Sequence, residues 1–371
     1  MHEKAPLYSY NWVLPASNSF EFYPVGNGGM VILSSDCQEK PCIRAVDLKT
    51  GTERWSYTNE HLDQLFYNAL IYLDQQYLVL PLGRQLVCLD ISNGKAVWEY
   101  KADFAGDDYV TGDGRYAYRV YPEANNTAFK VLRFELKTGA KDTVLTQVVR
   151  NASHALMRSP VLAMQNDTFL VSPVIDYLPR KLTNSYILVW KKGDAHHATK
   201  HKIAPTNQKG IGAALPPFVK GGASYWVVDK EVVRYNIIEK QEGWRIKLPK
   251  GLLTSRLNMV GDTLLMACEN EYLYGLSADD GQILWKVETA GTSSRVSSTS
   301  RYLFLIGGSD RLLYRINRMN PESIEKYSFK NEKRVLKRVS FVSSQAVILN
   351  DGKNWQSIQM NNLSDSLRRV K

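Results

Sequence analysis

Short apolar and alternating runs fill this chain, among them Ala69-Leu70-Ile71-Tyr72-Leu73 and Tyr77-Leu78-Val79-Leu80, and turn residues separate them. Runs of this length with period-two character predict half-buried strands. Many are followed by a dipeptide ending in Gly, which supplies the positive φ of a tight hairpin. The segment Ala45-Val46-Asp47-Leu48-Lys49-Thr50-Gly51-Thr52-Glu53-Arg54-Trp55 has two close copies, Cys88 through Gly94 to Trp98 and Gly275 through Gly281 to Trp285. In each, a small residue stands ten positions before the Trp and a turn pair stands five and four before it. A Trp after the turn can lie flat only against something small, so Ala45, Cys88 and Gly275 are expected to face it.

Weaker copies fill the gaps. Arg133 to Gly139 keeps the turn and loses the Trp, whereas Arg234 to Trp244 keeps the Trp and loses the Gly. The resulting period of roughly 40 to 50 residues marks a propeller or an array. Hairpins are predicted near 45–55, 88–98, 133–143, 186–203, 234–244, 275–285, 315–325 and 347–360. Two strand-like runs before each hairpin give four strands per unit. The expected fold is an all-β, eight-bladed propeller of four-stranded antiparallel blades, one domain over 1–371. The last unit lacks a fourth strand, and residues 7–13 are expected to supply its outer strand, hiding two sheet edges.

The Ala-x-Asp-x-x-Thr-Gly-x-x-x-Trp segment at 45–55 resembles the docking motif of the PQQ-like, quinoprotein-type propeller repeat, and degenerate copies cover essentially the whole chain. The resemblance implies a propeller, but members of that family diverge widely in activity. Its quinoprotein dehydrogenases use a disulfide between adjacent cysteines and an Asp beside a Ca²⁺ site. The four cysteines here, Cys37, Cys42, Cys88 and Cys268, include no adjacent pair. The chain is closer to the non-enzymatic branch that resembles the outer-membrane assembly lipoprotein, the B component of the β-barrel assembly machine. That resemblance implies a non-catalytic scaffold of the bacterial cell envelope with no cofactor and another envelope protein as partner. Glycan or small-ligand binding in the central funnel is the alternative, and a PQQ-dependent dehydrogenase a third reading.

Composition and charge change this picture little. Hydrophobic residues at 44% and charged residues at 23% are those of an ordinary globular chain, and no apolar run is long enough to span a bilayer. The net charge of +10 comes from scattered basic residues. Short groups such as Lys191-Lys192 and the tail Arg368-Arg369-Val370-Lys371 read as solvated turns and a frayed end rather than a nucleic-acid stripe. The N-terminus has no apolar h-region, so an envelope location requires a leader, and any membrane contact a lipid anchor, outside this sequence.

Two candidate sites remain. Cys37 and Cys42 flank Gln38-Glu39-Lys40-Pro41 and can close a small disulfide loop in an oxidising compartment, or stay as thiols in a reducing one. His196, His197 and His201 are the only histidine cluster; they form either a metal site or a solvated Lys-rich loop. Cys88 and Cys268 lie in apolar runs as packing residues. The Gly-rich stretches at 26–29 and 210–212 precede strands and read as turns, not phosphate loops.

Overall fold

The computed structural model describes residues 10–17, 25–27, 29–65, 69, 71–123, 128–148, 154–164, 168–178, 182–203, 217–228, 231–247, 257–268, 270–291, 295–330 and 334–370. Residues 7–9 of the predicted closing strand and the Gly210–Gly212 stretch fall outside these. The chain forms eight antiparallel sheets in the arrangement of an eight-bladed β-propeller, with almost no helix. It divides into two compact units.

The first unit comprises residues 1–59, 265–276 and 283–371. Blade 1 is Val25–Asn27, Met30–Cys37, Lys40–Asp47 and Glu53–Thr58. Blade 8 is Arg338–Val342, Ala346–Asn350 and Asn354–Gln359, and its outer strand is Tyr10–Pro15, paired in antiparallel register from Pro15 opposite Asn354 to Tyr10 opposite Ile358. The N-terminal segment thus covers an edge that the C-terminal strands leave bare, as the three-stranded last repeat required. Blade 7, Ser297–Ser298, Tyr302–Ile306, Leu313–Asn317 and Ile324–Phe329, carries a fifth strand, Leu367–Val370, on its outer edge. The expected frayed tail is therefore wrong. Leu363 and Leu367 are buried in the core between blades 7 and 8, which ties the tail down despite its two arginines, and Arg369 reaches Glu325 at 3.3 Å.

The second unit comprises residues 60–264 and 277–282. Blade 2 is Tyr72–Leu73, Tyr77–Leu82, Gln85–Asp90 and Ala96–Lys101; blade 3 is Thr111–Gly112, Tyr116–Pro122, Ala128–Glu135 and Lys141–Val148. In blade 4 the long strand Thr168–Leu178 pairs with both His154–Met157 and Val161–Met164 on one side, and Leu182–Lys191 then Asp194–Lys202 follow. Blade 5 is Phe218–Lys220, Ala223–Val228, Glu231–Asn236 and Gln241–Lys247. The division between the units passes through blade 6, whose strands are Asn258–Val260, Thr263–Ala267, Tyr272–Ser277 and Ile283–Glu288.

The repeated turn explains why the hairpins form. Gly51, Gly94, Gly139 and Gly281 sit at φ +71, +72, +72 and +76, each donating its N–H to the carbonyl four residues back. In blade 1 the Asp47 carboxylate also accepts from the N–H groups of Lys49 and Thr50, both at 3.0 Å, so the motif's Asp organises its own turn. The Arg54 guanidinium at 2.8 Å and these backbone donors hold the Asp47 carboxyl at about 2. Blade 5, which lost the Gly, puts Lys240 at φ +56 instead, a conformation costly for a residue with a Cβ.

Within each unit the apolar cores lie between successive blades. One cluster joins Val79 and Cys88 of blade 2 to Phe134 and Leu136 of blade 3; a second joins Tyr118 and Val131 of blade 3 to Leu170 and Trp190 of blade 4. Residues of the two middle strands are the most deeply buried, as expected of strands covered on both faces.

Candidate functional site: tryptophan docks and an open junction

Ala45, Cys88 and Gly275 stand directly opposite Trp55, Trp98 and Trp285 in the ladders of blades 1, 2 and 6. A bulge just before each Trp turns its side chain out of the ladder. At Gly275 the need for a small residue is absolute, since a Cβ there would lie 2.2 Å from Trp285 Cε2.

The tryptophans also reach across to the following blade. Trp98 Nε1 of blade 2 donates to the Leu136 carbonyl of blade 3 at 2.8 Å, and a Cβ on Gly139 would meet the Trp98 ring at 2.7 Å. Trp244 of blade 5 donates to the Ala278 carbonyl at 3.1 Å and covers Gly281. Trp12 donates to the Leu48 carbonyl of blade 1 at 3.0 Å and covers Gly51. Each dock has the same parts: an indole on the outer strand, a turn carbonyl on the next blade, and a bare Gly three residues after that carbonyl. The Gly thus serves both the turn and the ring that lies on it. Trp12 was not recognisable as a dock from the sequence, because blade 8 is assembled from both chain ends and has no continuous turn from which to count.

Blade 3 has no Trp. The residue opposite Arg133, at the ladder place of Trp98, is Asp142, held by Arg133 through two bonds of 2.8 and 2.6 Å. The junction with blade 4 is accordingly an open cleft of about 500 Å³, with Leu145, Leu170, Trp190 and Ala195 on its walls and Lys192 and Gly193 on its rim. Gly193 lies at φ +86 with no atom within 4 Å of where a Cβ would stand. The rim is joined by charge instead. Lys192 bonds Asp113 of blade 3, whose carboxylate also accepts from the Tyr118 hydroxyl at 2.9 Å and the N–H groups of Arg115 and Tyr116. Burial alone would raise Asp113, but these four donors together pull its carboxyl below the ordinary value.

At the other end of these strands the same three blades share a buried cation. Arg119, fully covered, donates to the carbonyls of Asp107, Gln85 and Gly83 at 2.7, 2.7 and 2.8 Å. Asp107 in turn accepts from Arg158 at 2.8 Å and from the Ser159 N–H at 2.5 Å. The Arg119 guanidinium and the Asp107 carboxylate are both engaged within the protein, which makes this a clamp between blades rather than a poised acid or base. The lone Arg within the apolar run Ala117 to Tyr121 was the sequence signal, since a charge buried in a strand needs partners.

The histidines do not form a loop. Asp194–Lys202 is the outer strand of blade 4, its side chains alternating between faces, so His196 and His197 diverge while His201 lies a further four residues along. His197 Nδ1 contacts Asp194 at 2.6 Å, and His201 packs on Tyr235 at 5.2 Å. Among the described residues no three His, Cys, Asp or Glu side chains converge on a metal-sized space. Cys37 and Cys42 are joined by a disulfide across a two-residue turn, with Cα atoms 5.7 Å apart and both Gln38 and Glu39 at positive φ. Cys88 and Cys268 are buried, and burial pushes the Cys88 thiol up to about 12, far from a nucleophile's range.

Eight hairpin-built blades, with indole docks on the turns of blades 1, 3 and 6, define a repeat propeller of the quinoprotein type. The chain belongs to the family described as outer membrane protein assembly factor BamB, whose profile matches residues 9–171 and 188–347. Comparison with curated proteins returns no match. The structure is similar to the crystal structure of BamB from Moraxella catarrhalis, with a TM-score of 0.60 and 12% identity over 95% of this chain and 98% of that one. It is also similar to the computationally designed Ika8 protein, with a TM-score of 0.64 and 10% identity over 94% and 98%. At such identities the likeness is one of fold.

Proposed function

We propose that this protein is a non-catalytic protein-binding scaffold of the bacterial cell envelope. The observation that carries the reading is the family profile, which spans nearly all the blades and belongs to an outer-membrane assembly factor. The use of the buried ionisable groups supports it: Asp107, Asp113 and Arg119 are engaged in holding blades together. On this reading the two units act as one propeller domain, and the protein works outside the cytoplasm, tethered through a lipid. The Cys37–Cys42 pair suits an oxidising compartment.

Fractionation of the native protein tests the location. It is expected with the outer membrane or periplasm, and a wholly cytoplasmic protein would overturn the envelope reading. Alkylation in intact cells adds a chemical readout, with Cys37 and Cys42 expected to stay unmodified until a reductant is added. Crosslinking in cells, followed by identification of the products, is expected to return components that insert outer-membrane proteins. Recovery of no envelope protein would count against the scaffold role.

A further inference from the structure

We propose that the junction between blades 3 and 4 is a tryptophan dock left open for a partner, and that it takes a Trp side chain presented by an extended segment of another polypeptide. The proposal rests on the scaffold reading and names what that scaffold would hold.

Three junctions are closed by an indole lying on a turn Gly and bonding a turn carbonyl. In each, the residue that offers the carbonyl sends its own N–H to the turn between the first two strands: Leu48 to Gly29, Leu136 to Arg115, Ala278 to Asp262. In blade 4 the residue with that bond is Lys192, which donates to the Thr168 carbonyl at 2.8 Å. Lys192 therefore occupies the acceptor place. Its turn is tighter, so the bare Gly193 follows it at once rather than three residues later.

The rest of the dock is also present. Val144 and Leu145 of blade 3 and Leu170, Trp190 and Ala195 of blade 4 supply apolar walls. What is missing is the indole, because the ladder place of Trp98 holds Asp142, which Arg133 draws aside. A cleft of about 500 Å³ in which an apolar wall meets a polar one, with a bare Gly and the acceptor-place residue Lys192 at its rim, matches a flat aromatic that carries a single N–H donor. An aliphatic chain would leave the acceptor place unused.

The probe is a fluorescein-labelled peptide copying this chain's own dock-filling strand, Lys95 to Ala102, whose central residue is Trp98. Fluorescence anisotropy with the intact protein is expected to give saturable binding that weakens at least tenfold when the peptide's Trp is replaced by Ala. Asp142→Trp should fill the dock from within, raise the melting temperature and abolish peptide binding. An Arg opposite that Trp is tolerated in this fold, since Arg234 stands opposite Trp244 in blade 5. If Asp142→Trp does not fold, Ala195→Phe narrows the cleft without touching the Arg133–Asp142 pair and should abolish binding in the same way. Binding that ignores the peptide's Trp, or survives in a folded blocking variant, or is absent altogether, would overturn the proposal. The outcome is separable from that of the scaffold reading. Peptide binding by a protein that fractionates with the cytoplasm would keep the dock and remove the envelope role, and an envelope protein that ignores the peptide would do the reverse.

Discussion

The junction of blades 2 and 3 and the junction of blades 3 and 4 are built on the same hairpin and each over an apolar core, yet their rims are closed by different forces. The first is closed by Trp98, whose ring stacks on Phe134 at 5.6 Å and bonds the Leu136 carbonyl, so it rests on apolar contact and a hydrogen bond that no pH change removes. The second rests on the apolar cluster of Tyr118, Val131, Leu170 and Trp190, but at the place of the indole it has an open cleft whose rim is bridged by Lys192 with Asp113. Desolvation offsets much of the attraction of a half-buried ion pair, whereas a docked indole removes a large apolar area from water. A repeat fold can therefore leave one junction open at small cost to its stability, provided the neighbouring junctions are well closed.

The clamp at the far end of the strands serves both junctions, so the largest expected effect falls there. Arg119→Met removes a buried cation and strands three carbonyls, that of Asp107 among them; urea unfolding should show a loss of about 3–5 kcal/mol. A loss below about 1 kcal/mol would mean that the clamp is not what joins blades 2, 3 and 4. Trp98→Ala should cost about 3 kcal/mol by the same measurement, whereas Asp142→Ala, at the equivalent place in blade 3, should cost less than about 1 kcal/mol. Equal losses would erase the distinction between a closed and an open junction.

The glycines sharpen the comparison further. Gly139→Ala and Gly193→Ala impose similar backbone strain, at φ +72 and +86, but only the first drives a Cβ into a Trp ring. About 2 kcal/mol is expected for Gly139→Ala and about 1 kcal/mol for Gly193→Ala. The smallest effect is the dependence on acid. The folded-state value of Asp113 lies below its ordinary 3.8, so its contribution is fully present above that value and is lost as pH falls through the lower one. Melting temperatures between about pH 5 and pH 2 should fall less steeply for Lys192→Met than for the parent, because the variant lacks the partner that protonation of Asp113 disables. Parallel curves would show that the Lys192 contact contributes nothing.

How far the sequence could be read follows from which constraints are local. The eight hairpins were legible because each depends on a turn Gly and a few alternating residues, all within a dozen positions. The closing strand was legible by subtraction, since the last repeat lacked one. The histidine strand was misread because Lys-rich polarity is also what an exposed outer strand shows. The C-terminal strand was misread because two adjacent arginines outweighed Leu363 and Leu367, whose partners lie on the blade 7–8 core. Arg119 went unremarked because its three carbonyl partners come from residues as far back as Gly83.

The open junction marks the boundary between the two kinds of information. That blade 3 lost its Trp while keeping Gly139 was visible in the residues alone. Whether some other side chain had filled the vacancy was not, because the filler could come from any segment that the folded chain brings there. Only the tertiary structure placed Asp142 against Arg133, left Gly193 bare and put Lys192 at the acceptor position. Turn and strand preferences are properties of neighbouring residues, and the chain carries them openly. An empty space is a property of everything around it, and only the packed molecule defines it.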